Sequence, residues 1–263
     1  MYGAILGDMI GSVYEWHNIK TKDFPLFVSH SRCTDDSVMT IAVAEALLDT
    51  QGQDRAARRG AVIRSMQKWG RLYPHAGYGG RFYEWLYEET PHPYNSWGNG
   101  SAMRVSPAGW LYDTLEETRQ AAADTAIVTH SHPEGLKGAE AAASVIWAAR
   151  NGWSGEEIRA YVEKEFYPLT KTCDQIRPAY RFDVSCQGTV PQAITAFLEG
   201  SGFEDVIRTA VSLGGDCDTL TCIAGGMAEA MFGVPAELKE ECRKRLKPDM
   251  LEVLERFERR ING

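Results

Sequence analysis

Two short acidic segments, Thr34-Asp35-Asp36 and Asp216-Cys217-Asp218-Thr219, hold the residues of this chain best suited to chemistry. Each follows a break in the helical pattern and opens an apolar run that reads as a buried helix. Carboxylates are seldom buried without partners. If folding brings the two segments together, four carboxylates and two hydroxyls meet in a small volume, and their repulsion calls for cations between them. An all-oxygen donor set selects Mg²⁺, Mn²⁺ or Ca²⁺ over zinc. The pattern predicts a binuclear divalent-metal site.

Taken singly, Thr34-Asp35-Asp36 also reads as an N-cap followed by first-turn acids that favour the helix dipole. The second segment is harder to explain as a cap. Gly214-Gly215 precede aspartates in alternate positions, which can present both carboxylates to one ion, although the glycine and glutamate spacing of an EF-hand is absent. Cys217 lies between two acids that raise its pKa, so it is a poor nucleophile.

Three further segments carry candidate chemistry. Gly3, Gly7 and Gly11 recur every fourth residue, placing a glycine stripe on one helix face where another backbone can approach closely. Asp8 and Glu15, seven residues apart, fall on one face of that helix; they read either as two solvated charges or as Asp8 bracing the packing with Glu15 pointing into a site. Trp97-Gly98-Asn99-Gly100-Ser101-Ala102-Met103-Arg104 is a glycine-rich turn entering a helix that stops near Gly109, an anion nest suited to phosphate or a tight turn capped by Ser101. Thr129-His130-Ser131-His132-Pro133 ends one helix and begins another; its two histidines suit metal binding, capping or substrate hydrogen bonds, with substrate contact favoured for His130 and structure for His132.

Helical periodicity positions nearly all of these groups. Thr114 with Glu117, and Ser154 with Glu157, are capping boxes. Pro133 opens a helix to Arg150, and Pro235 and Pro248 open the last two. A short helix is predicted near Arg81–Glu88 inside the irregular stretch 73–99. Phe27-Val28 is the only weak strand candidate. The expectation is an all-α, compact orthogonal helical bundle, with residues 1–263 forming one domain.

The 263 residues suffice for a sizeable core, and the net charge of −8 argues against a general polyanion binder. Six scattered cysteines without a C-x-x-C pair suit reduced thiols. No signal peptide or bilayer-spanning apolar run is seen, so a cytoplasmic location is expected.

Five collinear pieces resemble the ADP-ribosylglycohydrolase family: Gly3–Asp8 leading to Glu15, Thr34–Ser37, Gly98–Arg104, Thr129-His130 and Gly214–Thr219. The resemblance implies a helical fold holding two Mg²⁺ or Mn²⁺ ions. It implies hydrolysis of the glycosidic bond between ADP-ribose and an acceptor on a protein or small molecule, typically arginine, with ADP-ribose as product. Thr34, Asp35, Asp36, Asp216, Asp218 and Thr219 would be metal ligands. Glu15, or Asp35, would handle the proton. Ser96, Trp97, Gly98, Asn99, Gly100, Ser101, Met103 and His130 would bind substrate, with Trp97 facing the adenine. Ser37 stands where Thr is common and Cys217 where a small polar residue is usual; neither removes a ligand oxygen. Serine-, nucleic-acid- or small-molecule-linked ADP-ribose, a metal-dependent phosphohydrolase and a non-catalytic ADP-ribose binder are the competing readings. The acidic net charge disfavours a nucleic-acid acceptor.

Overall fold

The Tyr2–Gly11 helix is buried at all ten of its residues and has no polar face. It lies against the Cys217–Phe232 helix with the two backbones touching. A Cβ on Gly3 would meet the Gly225 carbonyl oxygen at 2.1 Å, and one on Gly7 the Thr221 oxygen at 2.1 Å. At Gly11 the obstacle is the Asp218 Cα, 2.6 Å away. The glycine stripe therefore does what its spacing predicts: it lets the first helix of the chain pack directly on the helix that follows the second acidic segment.

The computed structural model describes all of residues 1–263. Fifteen helical segments make up the fold, and the only bridge-type pairing is an isolated one between Gly98 and Ser185. Phe27 and Val28, the one strand-like pair, join no ladder; Val28 donates its amide to Ser31 Oγ in a local turn. One cluster of 70 buried apolar residues has members from Met1 to Phe257.

Local signals set most helix starts. Thr114 and Ser154 accept from the amides of Glu117 and Glu157, which reach back in reciprocal capping boxes. His132 Nδ1 accepts from the Glu134 amide at the start of Pro133–Arg150, the structural role expected of it. Pro235 and Pro248 stand at the starts of Ala236–Arg245 and Pro248–Asn262. The short helix near Arg81–Glu88 covers Gly80–Trp85.

Two expectations need correction. The helix entered at Gly98 is two pieces, Gly100–Met103 and Ser106–Leu111, because the chain turns at Arg104-Val105 before Pro107 sets the next first turn. The first helix also ends at Gly11, and residues 12–17 are turns and bends. Glu15 thus reaches the site through a turn and not along a helix face shared with Asp8.

Candidate active site

The N-terminus of the Asp35–Asp49 helix is built around Asp8. Its carboxylate accepts from the Thr34 amide at 2.8 Å, the Thr34 hydroxyl at 2.7 Å and the Ser37 amide at 3.1 Å, with the Ser37 hydroxyl a fourth donor. Thr34 is also the N-cap, accepting from the Asp36 amide at 3.4 Å. Asp8 is therefore no solvated charge: it braces the packing by carrying the first helix onto the start of the second.

The Asp216–Thr219 segment is fixed from the other side. Gly214 and Gly215 take φ of 71° and 76°, a left-handed pair that a side chain would strain. The space beside Gly215 is filled by the Tyr180 ring, 2.3 Å from where a Cβ would stand. Asn18 clamps Gly215, accepting its amide at 2.7 Å and donating to its carbonyl at 3.0 Å.

These supports bring the two acidic segments together. Carboxylate oxygens of Asp8, Asp36 and Asp218 lie within 4.8 Å of one another, as do those of Glu15, Asp216 and Asp218, so Asp218 belongs to both groups. Thr219 Oγ1 donates to Asp36 Oδ2 at 3.3 Å, and Asn99 Nδ2 donates to Asp216 Oδ2 at 2.6 Å. The other Asp36 oxygen is buried with no hydrogen-bond partner. Half-buried Asp35 opens on the same cleft and donates its amide to the Ala76 carbonyl.

The charges in this cluster repel. Burial, and then the Asp218 carboxylate, pushes Asp8 and Glu15 up to about 7. The same two causes, in the same order, hold Asp35, Asp36 and Asp216 well above the usual carboxylate range. The charged neighbours acting on Asp36 are all carboxylates. Crowded oxygen donors, an orphaned carboxylate oxygen and no neutralising lysine or arginine on Asp36 fit hard divalent cations.

A cleft of about 440 Å³ joins this cluster to the glycine turn. Glu15, Asp35, Asp36, Asp216, Asp218 and Thr219 line one part of it; Ser96, Gly98, Asn99, Gly100, Met103 and His130 line another. Three predicted side chains do not line it. Thr34 is turned onto Asp8, and Ser101 Oγ donates to the buried Gly135 carbonyl at 2.7 Å. Trp97 is 48% exposed beside the cleft, its backbone held by the amide of Cys186. The anion nest is narrower than its sequence suggests. The Gly98 amide donates to Ser96 Oγ and that of Asn99 to the Val184 carbonyl, so the Gly100 and Ser101 amides are the ones without a protein acceptor.

Several lining groups escape sequence reasoning. Buried Arg104 donates to Thr129 Oγ1 at 2.7 Å and to the Thr125 carbonyl, and burial lowers it to about 10. With that hydroxyl oxygen accepting from Arg104, its proton is assigned to His130 Nδ1, 2.7 Å away. The His130 Nε2–H then faces the turn, 3.4 Å from where a Gly100 Cβ would stand. Burial first and Arg104 second keep His130 well below its ordinary pKa and so neutral. Tyr94 lines the cleft beneath Arg81, whose guanidinium lies 4.9 Å from the ring centroid. Behind the cleft, buried Asp8 both braces the packing and joins Asp36 and Asp218 in an acidic triad; its seven-residue spacing from Glu15 is the only signal the sequence offers for the latter. Trp16 and Phe182 stack at the mouth with centroids 5.2 Å apart, and only adjacency to Glu15 hinted at the former.

An all-helical fold that converges carboxylates from both ends of the chain on one cleft defines an acidic-site protein suited to divalent cations. The chain belongs to the ADP-ribosylglycohydrolase family, whose model matches residues 1–262. It is 26% identical to mouse ADP-ribosylhydrolase ARH3 (Mus musculus), over 95% of this chain and 88% of that protein. It is 25% identical to the ADP-ribosylarginine hydrolase Tri1 of Pseudomonas putida (strain GB-1), over 89% of this chain and 70% of that protein. In a solved ADP-ribosylglycohydrolase-related protein complex, one chain shares the fold with a TM-score of 0.66 at 23% identity, over 96% of this chain and 94% of that one.

Proposed function

We propose that this protein is a divalent-cation-dependent hydrolase of the glycosidic bond between ADP-ribose and an acceptor, with mono-ADP-ribosyl-arginine as its first substrate. The observation that carries this reading is the convergence of the Glu15, Asp36, Asp216 and Asp218 carboxylates on one cleft with the Gly98–Met103 turn, with buried Asp8 grouped behind Asp36 and Asp218. Family membership supports the reaction class, and the similarity to an ADP-ribosylarginine hydrolase supports the acceptor.

Thr34, Asp35, Asp36, Asp216, Asp218 and Thr219 are proposed as the cation-holding set, with Asp8 steering the Thr34 end. Two Mg²⁺ or Mn²⁺ ions held by this set would supply charge neutralisation, a Lewis-acid hold on the sugar and polarisation of water. The chain's own part is to hold carboxylates beside the anomeric carbon, where negative charge favours an oxocarbenium-like transition state. In the net reaction the water oxygen bonds to that carbon. The electron pair of the breaking bond leaves with the acceptor nitrogen, which takes up a proton. Glu15, which opens on the cleft and is grouped with Asp216 and Asp218, is the proposed acceptor of the water proton, with Asp35, lining the same cleft, as the alternative. Ser96, Gly98, Asn99, Gly100, Met103 and the Nε2–H of His130 are proposed to bind the nucleotide. Trp97, exposed beside the cleft, is proposed to face the adenine, and Ser101 to serve through its free backbone amide.

The test is mass spectrometry of products from ADP-ribosylated arginine, serine and nucleotide substrates, with Mg²⁺, Mn²⁺ or EDTA. Release of ADP-ribose from the arginine conjugate, lost on chelation, is the expected result. Release of AMP would replace the glycosidic reading with phosphohydrolysis, and the absence of any turnover would leave a binding protein.

A further inference from the structure

An aromatic pair, Trp16 and Phe182, stands at the mouth of the cleft. Trp16 follows Glu15 directly and is 73% exposed, while Phe182, from the far part of the chain, is 46% exposed. Their planes lie 20° apart, and both side chains line the cleft with Glu15 and Asp218. Single exposed aromatics need no explanation, but two that stack across distant segments on the rim of a polar cleft present a built surface. The surface is held at both ends. Asn18, two residues beyond Trp16, is bonded to the Gly215 backbone; Val184, two residues beyond Phe182, accepts the Asn99 amide at 2.7 Å. The stack is thus tied to the acidic segment on one side and to the glycine turn on the other.

We propose that Trp16, backed by Phe182, is the acceptor platform, its outer face receiving the planar cationic guanidinium of an ADP-ribosylated arginine. The proposal rests on the glycosidic reading given above. If the scissile bond lies beside Glu15, the acceptor must leave past the next residue outward, which is Trp16. An acceptor on a protein surface stays outside a 440 Å³ cleft, so the groups that recognise it must be exposed, and Trp16 is. A guanidinium stacks on an indole face through both its charge and its planarity. A neutral ester or hydroxyl acceptor gains no comparable attraction from that face. Trp16 is therefore the residue that selects for arginine, and Phe182 keeps its ring in place.

The experiment compares wild type, Trp16→Ala, Trp16→Phe and Phe182→Ala on two substrates: an ADP-ribosyl-arginine peptide, and ADP-ribose carrying a neutral O-acyl group. Calorimetry with ADP-ribose accompanies the kinetics, and melting temperatures check that these surface variants stay folded. In Trp16→Ala, kcat/KM on the arginine conjugate should fall about tenfold relative to the O-acyl conjugate, chiefly through KM. Trp16→Phe should retain most of the preference, and Phe182→Ala should lose part of it. The affinity for ADP-ribose should move by less than about twofold. Equal losses on both substrates, or lost ADP-ribose affinity, would place the pair in the nucleotide subsite and overturn the proposal; so would an unchanged preference. Failure of the underlying reading looks different. A wild-type protein that frees ADP-ribose from neither conjugate refutes it before any variant is made. One that cleaves only the O-acyl conjugate overturns the guanidinium platform and leaves glycosidic cleavage standing.

Discussion

Asp218 is the residue on which the cleft turns, because it alone belongs to both acidic triads. Replacing it with Asn removes one charge from each. Asp218→Asn should therefore abolish any rise in melting temperature on adding Mg²⁺ or Mn²⁺ and should lose turnover; calorimetric titration with MnCl₂ and a thermal melt check this. A variant that still binds two cations would remove Asp218 from the ligand set. Glu15 makes a different prediction, since its proposed work is on the proton and not on the cations. Glu15→Gln keeps the size of the side chain and one acceptor oxygen but removes its ability to take a proton. It should leave ADP-ribose affinity nearly intact and lower turnover by about a hundredfold or more, the usual scale for a lost acid–base group. Single-turnover kinetics with the arginine conjugate, paired with calorimetry, separates the two effects.

At the scale of elements, the contact between Tyr2–Gly11 and Cys217–Phe232 sets the distance between Asp8 and Asp218. Gly7→Ala would push a methyl group into the Thr221 carbonyl, 2.1 Å away, and backbone cannot step aside as a flexible side chain can. The expected cost is about 1–3 kcal/mol or more, read from urea denaturation, together with weaker cation binding as the helices separate. Gly60 provides the contrast. It lies inside Arg55–Leu72, and an added Cβ there meets only the tip of Arg64 at 3.2 Å. Gly60→Ala should stabilise the protein by about 0.5–1 kcal/mol, because the unfolded chain loses freedom and the helix gains a better former. If both substitutions cost the same, close backbone approach is not what the glycine stripe serves.

For the whole molecule, the crowded acidic cluster is destabilising by itself, and the proposed cations would relieve that repulsion. Exhaustive chelation should lower the melting temperature, and titrating Mg²⁺ or Mn²⁺ back should raise it progressively, as any ligand bound only by the folded state does. A melting temperature indifferent to EDTA would count against the divalent-cation site as a whole. No helix is long and apolar enough to cross a membrane. All six cysteines are free, and Cys217 is fully buried with its thiol pushed up by burial and Asp218, in keeping with its reading as a poor nucleophile.

Much of this was legible in the chain because the signals are local. Thr114, Ser154, Pro133 and Pro248 act on amides within one turn of themselves, so the helix starts they mark follow from sequence alone. Glycines four residues apart share a helix face in any context, and acidic pairs before an apolar run must be either capped or paired. What spacing does not reveal is direction. That the Thr34 hydroxyl sits between Asp8 and Asp36, and that Ser101 Oγ is turned onto the Gly135 carbonyl, follows from partners brought near by folding. The break at Arg104, the end of the first helix at Gly11, the unpaired oxygen of Asp36 and the stacking of Trp16 on Phe182 all depend on partners remote in sequence. Types and spacing thus determined which groups were available and which helices carried them. Only tertiary packing decided which oxygens share one volume, because electrostatic repulsion and ring stacking act through space between residues that the chain itself keeps far apart.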